Sequence, residues 1–154
     1  MADKKINILY VDDEENNLLS FKATFRMKYN ILTAISSEEA MKILEAKPVD
    51  IIFTDQRMTN VTGIEFLEKV LDKFPEPMRI LLTGYADMNA VIDAVNKGKI
   101  FHYLSKPWNE DEVNITIDRA YEVFLKKQEI KVMNEKLAVS NDQLEFLLRQ
   151  KLLS

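Results

Sequence analysis

The sequence predicts an α/β fold, a doubly wound five-stranded parallel sheet with an extended C-terminal helix. Three observations carry this. Strand-like and helix-like segments alternate five times, which implies right-handed crossovers and helices on both faces of one sheet. The stretch Val49-Asp50-Ile51-Ile52-Phe53-Thr54-Asp55 is a short apolar, β-branched run that suits a strand buried on both faces. From about Asn109 to Ser154 there is neither proline nor glycine, far beyond the roughly 11–12 residues of a mean helix.

The elements follow in order. Ile6–Val11 forms the first strand and runs into Asp12-Asp13-Glu14. Glu15 to about Lys28 follows as a helix, with Leu18, Phe21 and Phe25 at helical spacing. Asn30–Ala34 is a second strand. Ser36 or Ser37 caps the next helix: Ser36 with Glu39 has capping-box spacing, and Ala40, Met41, Ile43 and Leu44 supply the apolar face. Pro48 separates that helix from the Asp55 strand. A helix over about Val61 to Lys73 carries Ile64, Leu67, Val70 and Leu71, and ends before Pro75 and Pro77. Arg79–Leu82 runs into Thr83-Gly84. Asp87 caps a helix through Val91, Ile92 and Val95, closed by Gly98. Ile100–Ser105 is the fifth strand and leads to Lys106-Pro107.

Residues 1–121 are expected to form the globular domain and 122–154 a coiled-coil extension of its last helix. Val113, Ile117 and Tyr121 can pack on the sheet. Beyond them Val123, Ile130, Leu137 and Leu144 recur every seven residues. Placed at a, they pair with Lys126, Met133, Ser140 and Leu147 at d; placed at d, they pair with Lys127, Asn134, Asn141 and Leu148 at a. The first frame seats β-branched Val123 and Ile130 at a and buries fewer polar groups. It predicts a homodimer through this helix, with a helix folded back on its own domain as the alternative.

Composition narrows the function. At 154 residues, 47% of them hydrophobic, the chain can fill one real core. A net charge of -4 gives no electrostatic case for nucleic acid or an anionic membrane. The absence of cysteine excludes disulfides, thiolate catalysis and thiolate metal sites. No apolar run reaches the roughly 18 residues of a membrane span, and Met1–Lys5 leads straight into a strand without a signal segment. A cytoplasmic location is expected.

In an open α/β sheet, ligands sit beyond the carboxyl ends of the strands. There Asp12, Asp13 and Asp55 form a hard-oxygen site suited to Mg2+, which takes one or two carboxylates, waters and phosphate oxygens. Asp55 keeps an oxygen available as nucleophile, since carboxylates accept phosphoryl groups as aspartyl phosphates. Lys106 is placed to pair with the phosphate as a point charge, and Thr83 to donate a hydrogen bond to it.

This ordered set resembles the receiver domain of two-component response regulators over about Ile6 to Tyr121. Val11-Asp12-Asp13-Glu14 matches the acidic pair, and Asp55-Gln56-Arg57-Met58 followed by Gly63 matches the phosphoacceptor and its loop. Leu82-Thr83-Gly84 matches the switch hydroxyl, Tyr103 the switch aromatic, and Lys106-Pro107 the site lysine with its cis peptide bond. The resemblance implies a flavodoxin-like sheet of order 2-1-3-4-5. It also implies phosphoryl transfer to Asp55 from a sensor histidine kinase or phosphotransfer protein. Asp13, Asp55 and the backbone carbonyl of Arg57 would bind Mg2+ directly, and Asp12 through water. Thr83 and Tyr103 would then carry the switch. No independent enzymatic output is implied beyond the chain's own phosphorylation and dephosphorylation. The family usually has proline after the methionine, where this chain has Thr59; the position is expected to affect loop rigidity and to supply no side chain to the chemistry.

His102, the single histidine, is expected at a surface or strand edge, and Trp108 in packing at the start of the last helix. Tyr85 and Arg57 flank the site, where the resemblance implies tuning of water access to the acyl phosphate. Two alternatives remain: a phosphorylation-independent dimerisation pseudo-receiver, and an aspartate-nucleophile phosphatase. The phosphatase class wants a second Asp two residues after the nucleophile, where Arg57 stands. A flavodoxin-like cofactor binder wants a hydroxyl- and glycine-rich phosphate loop after the first strand, where Asp12-Asp13-Glu14 would repel a phosphate unless a cation intervenes. Beyond the domain no effector module is legible, so the chain is expected to be an N-terminal piece of a longer regulator or a stand-alone dimeric one.

Overall fold

The computed structural model of the protein describes residues 5–84 and 88–153. The strands are β1 (Asn7–Val11), β2 (Asn30–Ala34), β3 (Ile51–Asp55), β4 (Met78–Thr83) and β5 (His102–Ser105). The helices are α1 (Glu15–Phe25), α2 (Ser37–Ala46), α3 (Gly63–Lys73), α4 (Met88–Asn96) and α5 (Glu110–Leu153). The five strands pair in parallel in the order β2-β1-β3-β4-β5, the flavodoxin-like order. The chain divides into two units, Met1–Tyr121 and Glu122–Ser154.

In the first unit, alternate residues of each strand feed opposite faces of the sheet. On one face Phe21 of α1 meets the rings of Tyr10, Phe25, Phe53 and Trp108 at centroid distances of 4.4, 4.8, 5.5 and 5.8 Å. The other face joins Leu9, Val11, Ile52 and Leu81 to Ala40 and Leu44 of α2, Phe66, Leu67 and Val70 of α3, and Val91 and Ala94 of α4. Phe66, fully buried, anchors α3, whereas Ile64 and Leu71 are only half-buried.

The end signals act through particular atoms. Ser36 Oγ accepts from Glu39 N at 3.1 Å. Thr62 caps α3 in the same way, accepting from Glu65 N at 3.1 Å, so the helix begins at Gly63 and not at Val61. α1 closes at Phe25, three residues before Lys28, because the chain turns there to bury Tyr29. Gly98, with φ +74°, follows α4, a backbone conformation glycine adopts without a Cβ penalty. β5 begins at His102, two residues later than Ile100, since the Ile100 N–H bonds to Ala94 O of α4 and not to the ladder. Asn109 Oδ1 accepts from Asp111 N and Glu112 N and starts α5. The Asp87 cap lies outside the described residues.

At the end of the sheet away from the strand carboxyl ends, Arg79 is buried. Its Nε donates to Lys99 O at 2.9 Å, Nη1 to Pro77 O at 3.1 Å and Nη2 to Gly98 O at 3.4 Å. Burial lowers its pKa from the ordinary guanidinium value, yet an arginine stays charged.

The second unit is helical through Leu153 and exposes Ile130, Met133, Leu137, Leu144 and Leu147. A further apolar series that the sequence reading missed recurs every seven residues at Leu125, Val132, Val139 and Phe146, all exposed. Among the described residues, no helix is long and apolar enough to cross a membrane.

Phe21 holds its face of the sheet together through four rings. Phe21→Ala should lower unfolding free energy by about 3–5 kcal/mol, the usual cost of truncating a buried phenylalanine, as read from urea denaturation of the full chain.

Candidate functional site

The carboxyl ends of β1, β3, β4 and β5 converge. Asp12 follows β1, and Asp55 ends β3, with its backbone paired beside Leu82 of β4. Asp12, Asp13 and Asp55 each offer a carboxylate oxygen, and these oxygens lie within 4.8 Å of one another. Lys106 arrives from β5 with Nζ 2.8 Å from Asp55 Oδ1 and 3.6 Å from Asp12 Oδ2. Its backbone N–H donates to Thr83 O at 2.9 Å, and the Lys106–Pro107 bond is cis.

Each carboxylate is held differently. Asp12 is fully buried and would be costly there unless paired and hydrogen-bonded. The Tyr10 hydroxyl donates to its Oδ2 at 2.8 Å, Asn17 Nδ2 to the same atom at 3.0 Å, and Glu14 N to Oδ1 at 3.0 Å. Burial and the neighbouring Asp12 carboxylate together push the Tyr10 phenol far above its ordinary pKa, so it remains a donor. Asp13 is half-buried, and its Oδ2 accepts from both Thr59 N and Thr59 Oγ1 at 2.9 Å. Burial raises the pKa of Asp55; the Lys106 ammonium opposes this and the Asp12 carboxylate adds to it.

The loop after β3 must come close to that strand's end. Gly63 N donates to Gln56 O at 2.9 Å, and Ile64 N to Gln56 Oε1 at 3.0 Å. A Cβ on Gly63 would collide with the backbone carbonyl oxygen of Asp55, so the approach requires glycine.

Thr83 is buried at the end of β4, but its hydroxyl donates to Gly84 O at 3.0 Å and not to a site carboxylate. Tyr103 lies half-buried on β5 beside Leu81, packed against the core. Arg57 is exposed in the loop after Asp55. Trp108 packs on Phe21 and Phe25, and His102 is exposed on the edge strand. Tyr85 lies outside the described residues. Three side chains at the site escaped the sequence reading: Tyr10, Asn17 and Thr59. Tyr10 was findable, because residues two apart on a strand share a face and Asp12 stands two beyond it. Thr59, at a position expected to supply no side chain to the chemistry, donates its hydroxyl to Asp13.

The donor set is all oxygen, three convergent carboxylates opposed by one ammonium. That chemistry fits a small hard cation such as Mg2+.

Comparison with known proteins places the chain in a family. The hydrogenase transcriptional regulatory protein HoxA of Cupriavidus necator is 38% identical over 122 residues, 79% of this chain and 25% of that protein. The chain therefore spans about a quarter of the length of that relative. A response regulator receiver domain protein from Clostridium thermocellum superposes with a TM-score of 0.73 at 30% identity, covering 81% of this chain and 98% of that one. A structure described as adenylate cyclase from Rhodopirellula baltica gives a TM-score of 0.80 at 26% identity, covering 85% and 98%. The response regulator receiver domain family matches residues 8–118, and the chain belongs to that family.

Proposed function

We propose that the chain is a phosphoacceptor switch, in which Asp55 takes a phosphoryl group from a sensor histidine kinase or phosphotransfer protein. The observation that carries this is the Lys106 ammonium 2.8 Å from Asp55 Oδ1, beside the Asp12 and Asp13 carboxylates. Asp13, Asp55 and the Arg57 carbonyl would hold Mg2+ directly and Asp12 through water. That ion would supply neutralisation of charge developing on the phosphoryl oxygens.

Every other part is the chain's own. A carboxylate oxygen of Asp55 attacks phosphorus in line; the new O–P bond forms as the P–N bond to the donor imidazole breaks, its electron pair stays on that nitrogen, and the imidazole, already protonated on its other ring nitrogen, leaves neutral. Lys106 moves its charge from the Asp55 carboxylate to a phosphoryl oxygen. The modification adds about -1.5 to -2 charges. That charge gives the Thr83 hydroxyl, bonded to Gly84 O at rest, a stronger acceptor. Tyr103 follows Thr83 inward and alters the surface around β5. A groove lined by Glu14, Asn17, Ser20, Lys106, Pro107 and Trp108 opens beside the lysine and supports access for a phosphodonor.

The output lies with what this domain is joined to or meets. The HoxA relative is named a transcriptional regulator, and a receiver governing transcription through residues 122–154 is the reading this supports. In that reading Ile130, Met133, Leu137, Leu144 and Leu147 form the seam of a parallel coiled-coil homodimer, weakened by Lys126 and Ser140.

Acetyl phosphate with Mg2+ should add one hydroxylamine-sensitive acyl phosphate to the wild type and none to Asp55→Asn or Asp13→Ala. Persistent labelling of Asp55→Asn rejects the assignment.

The raised pKa of Asp55 predicts a stability effect. The folded state holds the proton more tightly than the unfolded state does. Stability therefore falls as pH rises from the unfolded value through the folded one, and the cost of the charge is present in full above it. Without Mg2+, Asp55→Asn should raise the Tm at neutral pH by a few degrees, and the gain should vanish near pH 3, as differential scanning calorimetry would read.

Leu137→Asp with Leu144→Asp should convert a concentration-dependent dimer to monomer in sedimentation while leaving Asp55 labelling intact. An unchanged oligomeric state excludes the seam.

A further inference from the structure

The geometry points to Thr59 as a positioning residue for Asp13, one that holds a single carboxylate oxygen so that the other is presented to the divalent cation. This inference rests on the magnesium reading above. Both donors of Thr59, its backbone N–H and its hydroxyl, reach Asp13 Oδ2 at 2.9 Å across a separation of 46 residues. Among the described residues, no hydrogen bond to the other oxygen of Asp13 accompanies them. The three carboxylates differ in this respect. Asp12 is fixed by Tyr10, Asn17 and the Glu14 N–H, and Asp55 by Lys106. Among the described residues, the hydrogen bonds to Asp13 come from Thr59.

The loop is shaped to bring Thr59 there. Asn60, the next residue, has φ +75°, a left-handed conformation that asparagine tolerates better than most residues. Just before this turn, the Thr59 N–H and hydroxyl both reach the same carboxylate oxygen. A proline at this position has neither donor, so this chain ties the loops after β1 and β3 together where a ring could not. Groups that orient a ligating carboxylate commonly change metal affinity by about 10–100-fold when removed. Thr59 is exposed, so its loss removes the tie without opening the core.

Isothermal titration of the full chain with MgCl2 tests this. Thr59→Val keeps the side-chain shape and the backbone N–H but deletes the hydroxyl, and should raise the Mg2+ Kd about tenfold, the lower end of such effects. Thr59→Ser restores the hydroxyl and should bind within about twofold of the wild type. The Tm without Mg2+ should be the same for all three proteins, which separates positioning from a general loss of structure. If the wild type binds Mg2+ and Thr59→Val binds it as well or better, the positioning role is overturned and the metal reading stands. If the wild type binds no Mg2+, both fall.

Discussion

Three carboxylates share one ammonium, and the rest of the molecule is arranged around that imbalance. A buried charge costs several kcal/mol unless it is paired or hydrogen-bonded. Asp12 is fully buried and escapes the cost through three donors and the edge of the Lys106 charge. Asp55 is less well compensated, and its raised pKa records the remainder. A site that leaves negative charge in excess favours cations, and in the proposed function a cation would accompany the incoming phosphoryl group. The close approach at Gly63 and the convergence of four strand ends serve to keep these groups together against their repulsion.

Much of this was legible in the sequence because its signals are strong and local. Apolar runs ending in Asp12, Asp55, Thr83 and Lys106 predicted both the parallel sheet and the end at which chemistry would lie. Less was legible where a residue's role depends on a partner far along the chain. Nothing local distinguishes a threonine that fills a loop from one that reaches Asp13 across 46 residues. Ile100 reads as strand by composition, and only the diversion of its N–H to Ala94 removes it from the ladder. Phe66 went unremarked because Ile64, Leu67 and Val70 already satisfied a helical stripe, though Phe66 is the larger buried group.

The helix of residues 122–154 shows a different limit. Val123, Ile130, Leu137 and Leu144 form one seven-residue apolar series, and Leu125, Val132, Val139 and Phe146 follow the same period on another face. A two-stranded coiled coil has one seam and covers one stripe. The period was therefore legible, but the number of faces that need covering was not.

Arg79 has a consequence for how the sheet can move. Its guanidinium donates to carbonyls of the loop that enters β4 (Pro77) and of the loop that enters β5 (Gly98 and Lys99), so it joins the starts of β4 and β5 through the chain itself. The sheet thus has a fixed rim and a working rim. In the proposed switch, a displacement of Thr83 or Tyr103 at the working rim would be resisted as a slide of β4 along its neighbours by this tie at the opposite rim. It would then be taken up by side-chain rotation and by the loops beyond the strands, at the end of the domain that carries Asp55.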